Sequence, residues 1–188
     1  LSGELTYTYY SSPQSRHSLS PLMLSYEYMQ HQTEAFSQLL KDNPYLSVSM
    51  RDQFVPKAQY TYSYTSPSTK RHPINWELTV SEAGNVLAGA YAVFGEKWNE
   101  RGKTMFKNPF AQFFKVHTDL VKRWRMADKS ILVGHVAAGA IFSYGNAQSA
   151  PYYEQFYVGG ANSVRAFNVR SIGPGRYHPA NSKLSYIE

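Results

Sequence analysis

The chain has 188 residues, enough for one domain with a full core, and its lack of cysteine excludes a disulfide framework and a thiolate metal site. No signal peptide is expected, and no apolar run reaches the ~18 residues of a transmembrane helix, although the alternating strands of a membrane β-barrel need no such run. The net charge of +6 comes from lysines and arginines that are scattered along the chain. Nucleic-acid binding requires them clustered on one element, so no nucleic-acid partner is expected.

Six segments alternate apolar and polar side chains with a period of two, which predicts strands with one apolar face. The clearest is 56–65, where Tyr60, Tyr62 and Tyr64 point to the same side. Most of the segments reach the roughly 9–11 residues of a membrane-spanning strand. In chain order they are 4–9, 22–28, 56–65, 74–81, 113–125 and 132–144.

The connections between these segments alternate between short and long. Short turns at one end and long loops at the other are typical of an outer-membrane barrel, and a soluble sandwich rarely sorts its loops in this way. The predicted fold class is therefore all-β, as part of an antiparallel transmembrane β-barrel with long extracellular loops. The short connections are 11–18, 66–72 and 127–130, and the long ones are 31–55, 83–109 and everything after Gly145.

The first long connection is predicted to contain a short helix. Thr33 can cap this helix, and Asn43-Pro44 can end it. The sequence leaves two roles open for this helix: it packs over the barrel mouth, or it binds a partner. The apolar residues at helical spacing are Phe36, Leu39 and Leu40.

Two tryptophans occupy equivalent places in the pattern. Trp76 follows one short turn and Trp124 precedes another, and both lie on the apolar side of their strands. They are predicted to lie at the periplasmic membrane interface, where barrels carry a belt of aromatic residues. A core position in a soluble barrel is the alternative for each.

The segment 154–175 combines turn residues at both ends with an arginine among apolar side chains. A solvated linker has no need for such apolar residues around one cation, whereas a loop that folds back into a cavity packs them while its charge meets a partner on the wall. The turn residues are Gly159, Gly160, Gly173, Pro174 and Gly175, and the residues between them include Val164, Arg165, Ala166, Phe167 and Ile172.

Over these residues the chain resembles the outer-membrane assembly factor superfamily of BamA/TamA-type surface antigens. The motif Val164-Arg165-Ala166-Phe167, with its flanking Gly-Gly and Ile-Gly-Pro-Gly, is similar to the family's sixth extracellular loop. The pieces at 82–85 and 108–112 resemble the TamA-like proteins of Bacteroidetes.

The resemblance implies a 16-stranded barrel preceded by periplasmic POTRA domains, which helps to insert other barrel proteins into the outer membrane. Residues 1–188 would be the central part of that barrel, with six strands and a seventh beginning at 182–188. The long loop 146–182 would fold inward, with Arg165 meeting an acidic residue of the inner wall and Val164 and Phe167 as apolar anchors. Signal peptide, POTRA domains and the remaining strands would lie outside the chain.

The implied partners are outer-membrane lipids, unfolded outer-membrane client proteins and a possible periplasmic or inner-membrane protein. The chain is expected to be no enzyme and to need no cofactor or metal, because His117 and Asp119 lack an evident third ligand. Ala166 departs from the family, which usually has glycine there. The alternatives are a polypeptide secretion channel of the two-partner type, a passive pore and a soluble sugar- or peptide-binding β-domain.

Overall fold

The computed structural model describes residues 2–27, 33–34, 37–38, 41, 53–67, 69–95, 97–98, 102–105, 108–147, 150–161 and 164–167. The chain divides into two compact units. The first comprises Leu1–Tyr26 and Gln53–Ala150, and the second comprises Glu27–Asp52 and Pro151–Glu188. Within the described residues, no helix combines the length and the apolar character needed to cross a membrane.

An antiparallel sheet of six strands forms most of the first unit. The strands in chain order are β1 (Ser2–Ser12), β2 (Ser15–Glu27), β3 (Gln53–Thr65), β4 (Ile74–Ala83), β5 (Thr104–Met105), β6 (Asn108–Pro109), β7 (Phe113–Ala127) and β8 (Ser130–Ser143). The order in the large sheet is β1-β2-β3-β4-β7-β8, and β5 and β6 form a separate two-stranded sheet. The six predicted strands and the alternation of short and long connections are confirmed.

The first short connection is much shorter than the predicted 11–18. The chain turns at Pro13-Gln14 alone, because β1 continues to Ser12 and β2 begins at Ser15. The predicted bounds of this turn were therefore wrong, and the first hairpin is longer than the sequence pattern indicated.

A bulge in β2 explains that error. Leu5 pairs with Leu22, but Tyr7 pairs with Leu19, so β2 contains one residue more than β1 over this stretch. An extra residue shifts the period-two pattern to the other parity, which hides the start of the strand. Pro21 lies inside the bulge, where its missing N–H disturbs no ladder hydrogen bond.

The register separates an apolar face from a polar face, because paired residues of antiparallel strands lie on the same side. On the apolar face, Leu5, Val136 and Phe142 are 64%, 64% and 61% exposed. A band of exposed apolar side chains of this kind requires an apolar surrounding. Its central rows consist of Tyr60, Val80, Val116 and Ala140, of Tyr62, Leu78, Thr118 and Ala138, and of Tyr64, Trp76, Leu120 and Val136.

The polar face carries hydroxyl, carboxylate and imidazole groups in matching rows. Thr61 shares a hydrogen bond of 3.2 Å with Thr79, and Ser63 donates one of 3.2 Å to Oε2 of Glu77. These cross-strand pairs satisfy the polar groups of neighbouring strands. Larger apolar residues on this face include Val121 of β7 and Ile131, Val133 and Ile141 of β8.

The second long connection contains a helix that was not predicted, α1 (Asn85–Val93). Its alanines and Leu87 favour helix, and Gly84, with φ of 75°, precedes it. Gly95, with φ of 97°, follows it and donates a hydrogen bond to the carbonyl of Ala92 at 3.1 Å. Nine residues without a strong apolar stripe give a weak sequence signal, because tertiary packing holds such a helix in place.

The helix packs on a small apolar core at the long-loop end of the sheet. Phe54, Ala88 and Phe110 are buried together, and Val55, Ala83, Ala111 and Phe113 form a second buried cluster. Gly84 is required between them, because a Cβ there would lie 2.3 Å from the carbonyl oxygen of Ala111. The described parts of the long connection 84–112 that contain these residues are therefore fixed to the sheet.

In the second unit, the described residues of the first long connection agree with the predicted helix. Glu34, Ser37, Gln38 and Lys41 are helical, and the Ser37 N–H donates to the Thr33 carbonyl at 2.9 Å. Thr33 directly precedes the first helical residue, as a cap should. The predicted apolar residues Phe36, Leu39 and Leu40 and the terminator Asn43-Pro44 lie outside the described residues.

Candidate functional site

The candidate site is the arginine loop, which we define as residues 159–167 of the second unit. Gly159 and Gly160 open it with φ of 105° and 87°, a backbone conformation that other residues rarely adopt. The Gly160 N–H then donates to the carbonyl of Phe167 at 2.8 Å, which closes the loop. The sequence therefore needs glycine at this point because the chain reverses there.

The tip of the arginine loop is a β-turn. The Phe167 N–H donates to the Val164 carbonyl at 3.1 Å, so Arg165 and Ala166 occupy the two central positions. Alanine is suited to the third position of a type I turn, whereas a type II turn needs φ > 0 there and favours glycine. Ala166 can therefore replace a glycine without strain if the turn is of type I.

The Arg165 side chain folds back on its own loop. Its Nε donates to the carbonyl of Ala161 at 3.2 Å, and the residue is exposed. Among the described residues, the two terminal guanidinium nitrogens have no hydrogen-bond partner. A guanidinium held through Nε presents its remaining donors as a fork that fits a carboxylate.

The two predicted apolar anchors flank this arginine. Val164 is 40% exposed and Phe167 is 49% exposed. The arginine loop thus presents one cation between two apolar side chains. The remaining predicted residues of the motif, Ile172, Gly173, Pro174 and Gly175, lie outside the described residues.

A buried polar network follows β8 in the first unit. Gln112 is 0% exposed, and its Oε1 accepts the N–H of Asn146 at 3.0 Å while its Nε2 donates to Oδ1 of Asn85 at 3.3 Å. The Tyr144 hydroxyl donates to the same Asn85 oxygen at 2.9 Å. We call Asn85, Lys103, Gln112, Tyr144 and Asn146 the polar hub.

Asn146 makes the most bonds in the polar hub. Its Nδ2 donates to the carbonyls of Lys103 and Phe110 at 2.9 and 3.0 Å, and its Oδ1 accepts the Lys103 N–H at 3.0 Å. The Lys103 ammonium donates to the carbonyls of Lys97 and Trp98 at 2.5 and 3.1 Å. The hub therefore fixes the chain where the long segment after β8 begins. The sequence signalled it only through the pieces 82–85 and 108–112, whose partnership was not predicted.

Trp76 and Trp124 lie on the same face and toward the same end of the sheet, as the sequence pattern indicated. The Trp76 Nε1–H donates to Oγ1 of Thr118 at 2.9 Å. Trp124 lies close to Gly134 of β8, where a Cβ would be 2.8 Å from the indole ring. Their role at a membrane interface remains a prediction.

More aromatic residues adjoin the tryptophans than were predicted. Tyr62 packs edge-on against Trp76 with ring centroids 5.5 Å apart, and His17 stacks on Tyr9 at 4.6 Å. The His17 Nδ1 also lies 2.7 Å from the hydroxyl of Tyr60. The bulge in β2 hid this cluster from the sequence pattern, since it moves His17 to the apolar face.

His117 and Asp119, which were rejected as metal ligands from the sequence, are not the pair that the structure brings together. Asp119 Oδ2 lies 2.6 Å from Nε2 of His135, a residue of the neighbouring strand, rather than pairing with His117. In the part of the chain that the structure describes, no three potential ligands come together. Asp119 and His135 are therefore best explained as a polar pair of the sheet.

An antiparallel sheet with an exposed apolar face and its short turns at one end is the architecture of an outer-membrane β-barrel segment. Residues 88–185, slightly more than half of the chain, match the Omp85 superfamily domain. The protein belongs to the Omp85 superfamily, and its location is the bacterial outer membrane.

A 73-residue segment is 32% identical to the outer membrane protein assembly factor BamA of Nitratidesulfovibrio vulgaris (strain Hildenborough). This match covers 39% of the chain and 8% of that protein, so the chain spans a small fraction of its relative's length. No solved structure matches the chain.

Proposed function

We propose that this protein assists the assembly and insertion of other proteins into the outer membrane. The observation that carries the proposal is the arginine loop, in which Arg165 is held through Nε with its terminal donors presented outward. The relative named outer membrane protein assembly factor supports the same activity. The protein acts without chemical catalysis, as an insertase rather than an enzyme.

We infer that residues 1–188 are the central part of a 16-stranded barrel, with POTRA domains on the periplasmic side. Among the described strands, β1 and β8 are the free edges of the sheet. Open edges are not viable in lipid, which supports completion by further strands. Short turns then face the periplasm and the long connections face outward. The TamA-like branch of Bacteroidetes is the finer assignment, supported by the pieces at 82–85 and 108–112.

The arginine loop is proposed to fold into the barrel lumen, with the long loop 146–182 entering from outside. There the Arg165 guanidinium pairs with a carboxylate of the inner wall, and Val164 and Phe167 pack as anchors. Water is largely excluded from such a site, so loss of one partner leaves a charge unpaired and costs about 3–5 kcal/mol. The loop thereby stabilises the barrel. The lateral seam of the barrel, which lies outside these strands, opens toward the thinned membrane so that the client protein can enter.

The partners of this activity are outer-membrane lipids, unfolded outer-membrane client proteins and a periplasmic or inner-membrane protein. Depletion of the full-length protein tests the assignment. Assembly of other barrel proteins is expected to fall, as measured by their heat-modifiable gel mobility. If their assembly stays normal while one secreted substrate accumulates inside, the protein is a two-partner secretion channel. Ion conductance in planar bilayers with normal assembly would identify a passive pore.

Arg165→Ala tests the lumen pairing in the full-length protein. We expect the unfolding temperature, measured as the temperature at which the folded gel band disappears, to fall by several degrees. The loop loses its ion pair with the barrel wall. Arg165→Lys should restore only part of it, because lysine cannot form the two parallel bonds. Lys115→Ala, a cation on the polar face of β7, is the control. Equal unfolding temperatures for Arg165→Ala and the unaltered protein would rule out the pairing.

A further inference from the structure

The short connections of the sheet form a positively charged surface. The sequence pattern did not predict it, because its cations come from separate stretches of the chain. We define the short-turn rim as residues 13–16, 66–73 and 122–130, which lie at one end of the sheet. Asp128 is its acidic residue. Its seven lysines and arginines are Arg16, Lys70, Arg71, Lys122, Arg123, Arg125 and Lys129.

Backbone hydrogen bonds hold neighbouring parts of the rim together. The Thr65 N–H donates to the Gln14 carbonyl at 2.8 Å, and the Arg123 N–H donates to the Pro73 carbonyl at 3.0 Å. Cations from three separate stretches of sequence therefore lie at one end of the sheet. By the register, Arg16, Arg123 and Arg125 lie on its polar face and Lys122 on its apolar face, while Lys70, Arg71 and Lys129 lie in the turns. Within the described ranges, none of the seven forms an ion pair. Their charges add to a positive potential that attracts anions.

Lys122 identifies the kind of anion. It lies on the apolar face, because its partner across β4 is Ile74 and it follows Leu120 on that face. Its Nζ lies 5.3 Å from the ring centroid of Trp124. A lysine on a lipid-facing surface extends its ammonium toward the headgroups while its methylenes stay in apolar surroundings. A soluble acidic protein would not reach this face.

We propose that the short-turn rim binds the phosphate groups of anionic glycerophospholipids. Trp76 and Trp124 lie at the boundary between acyl chains and headgroups. Lys122 and the turn cations Lys70, Arg71 and Lys129 meet the phosphates beyond them. Each such cation near an anionic membrane surface strengthens binding about fivefold. The inference rests on the barrel orientation proposed above, and it does not depend on the assembly activity.

Native mass spectrometry of the full-length protein tests the rim. The protein is released from detergent that contains equal amounts of phosphatidylglycerol and phosphatidylcholine, and the retained lipids are counted. The unaltered protein is expected to retain phosphatidylglycerol preferentially, by about fivefold or more. The triple variant Lys70→Gln, Arg71→Gln, Lys122→Gln should retain both lipids about equally. The control variant Lys57→Gln, Lys115→Gln, altered at the opposite end of the sheet, should keep the preference.

Several results would overturn the proposal. One is an unchanged preference in the triple variant, and another is an equal loss in the control variant. A third comes from a parallel release out of detergent that contains lipid A and phosphatidylglycerol: rim-dependent retention of lipid A in place of phosphatidylglycerol would assign the rim to the outer leaflet. Should the triple variant fail to fold, Lys122→Gln alone decides, with Lys122→Arg expected to retain the preference. Lipid retention is measured on purified protein, and client assembly is measured in cells. The rim proposal can therefore fail while the proposed assembly function stands, and the assembly function can fail while the rim proposal stands.

Discussion

The two ends of the sheet are built on different principles. At the short-turn rim, the chain reverses at Pro13-Gln14 and again at Asp128-Lys129, and charged side chains extend from the strand ends. At the long-loop end, the described residues of the connection 84–112 pack against the strands with a buried apolar core and the polar hub. The first end presents charge to its surroundings, and the second encloses polar groups within the protein.

This difference predicts how each end responds to substitution. A side chain at the rim can be removed with little change in folding, because its partners are solvent or lipid. A group at the long-loop end has several partners inside the protein, so its removal leaves donors or acceptors unsatisfied. Stability should therefore depend on the long-loop end and surface recognition on the rim.

The largest effect is expected for Gly84→Ala. The new Cβ would lie 2.3 Å from the Ala111 carbonyl oxygen, and the φ of 75° is unfavourable for alanine. Together these should lower the free energy of unfolding by about 2 to 4 kcal/mol. Urea unfolding of the refolded protein in lipid vesicles measures it. Gly95→Ala, with φ of 97° and open space around it, is the control and should lose about 1 kcal/mol. Equal losses would mean that the contact with Ala111 is unimportant.

A smaller loss is expected for Asn146→Ala in the polar hub. It removes the side-chain bonds to Lys103 and Phe110 and leaves their backbone groups unpaired, which should cost about 2 kcal/mol. The same unfolding assay applies. Asn75→Ala on the polar face is the matched control and should stay within about 0.5 kcal/mol of the unaltered protein. A loss no larger than that of the control would show that the hub carries little stability.

The smallest effect is expected beside the rim, for Gly134→Ala in β8. The new methyl group would lie 2.8 Å from the Trp124 ring, which must move away from β8, at a cost of about 1 kcal/mol. Tryptophan fluorescence should report the movement. Gly3→Ala, with nothing within 4 Å, is the control. In a Trp124→Leu background the substitution should be neutral, and a persisting loss there would assign the effect to the backbone of β8.

The contrast between the ends also explains what could be predicted from the sequence. Alternation and turn residues are local signals, so the six strands and their faces were predicted correctly. The same local reading gave wrong bounds for the first turn, because the bulge beside Pro21 reverses the alternation in β2. Helix α1 was missed because packing against Phe54 and Phe110, rather than its own sequence, holds it in place.

For the candidate site, the sequence supplied the residues and the structure supplied part of their geometry. Gly159 and Gly160 were expected to be turn residues, and both have the positive φ that glycine permits. The hydrogen bond from Arg165 to Ala161 could not be predicted, because it depends on the path of the loop. The polar hub could not be predicted either, because Gln112 and Asn146 are far apart in the sequence and are common residue types.

The order of strands in the sheet has a consequence for the way the chain reaches its folded state. The strands of the large sheet lie side by side in their order along the chain, with β5 and β6 inserted between β4 and β7. Closing a loop costs entropy that grows by about 0.6 kcal/mol for each doubling of its length. The two hairpins with two-residue turns, β1-β2 and β7-β8, therefore have the lowest closure cost. The β3-β4 hairpin follows, and the connections 28–52 and 84–112 join the three hairpins at greater entropic cost.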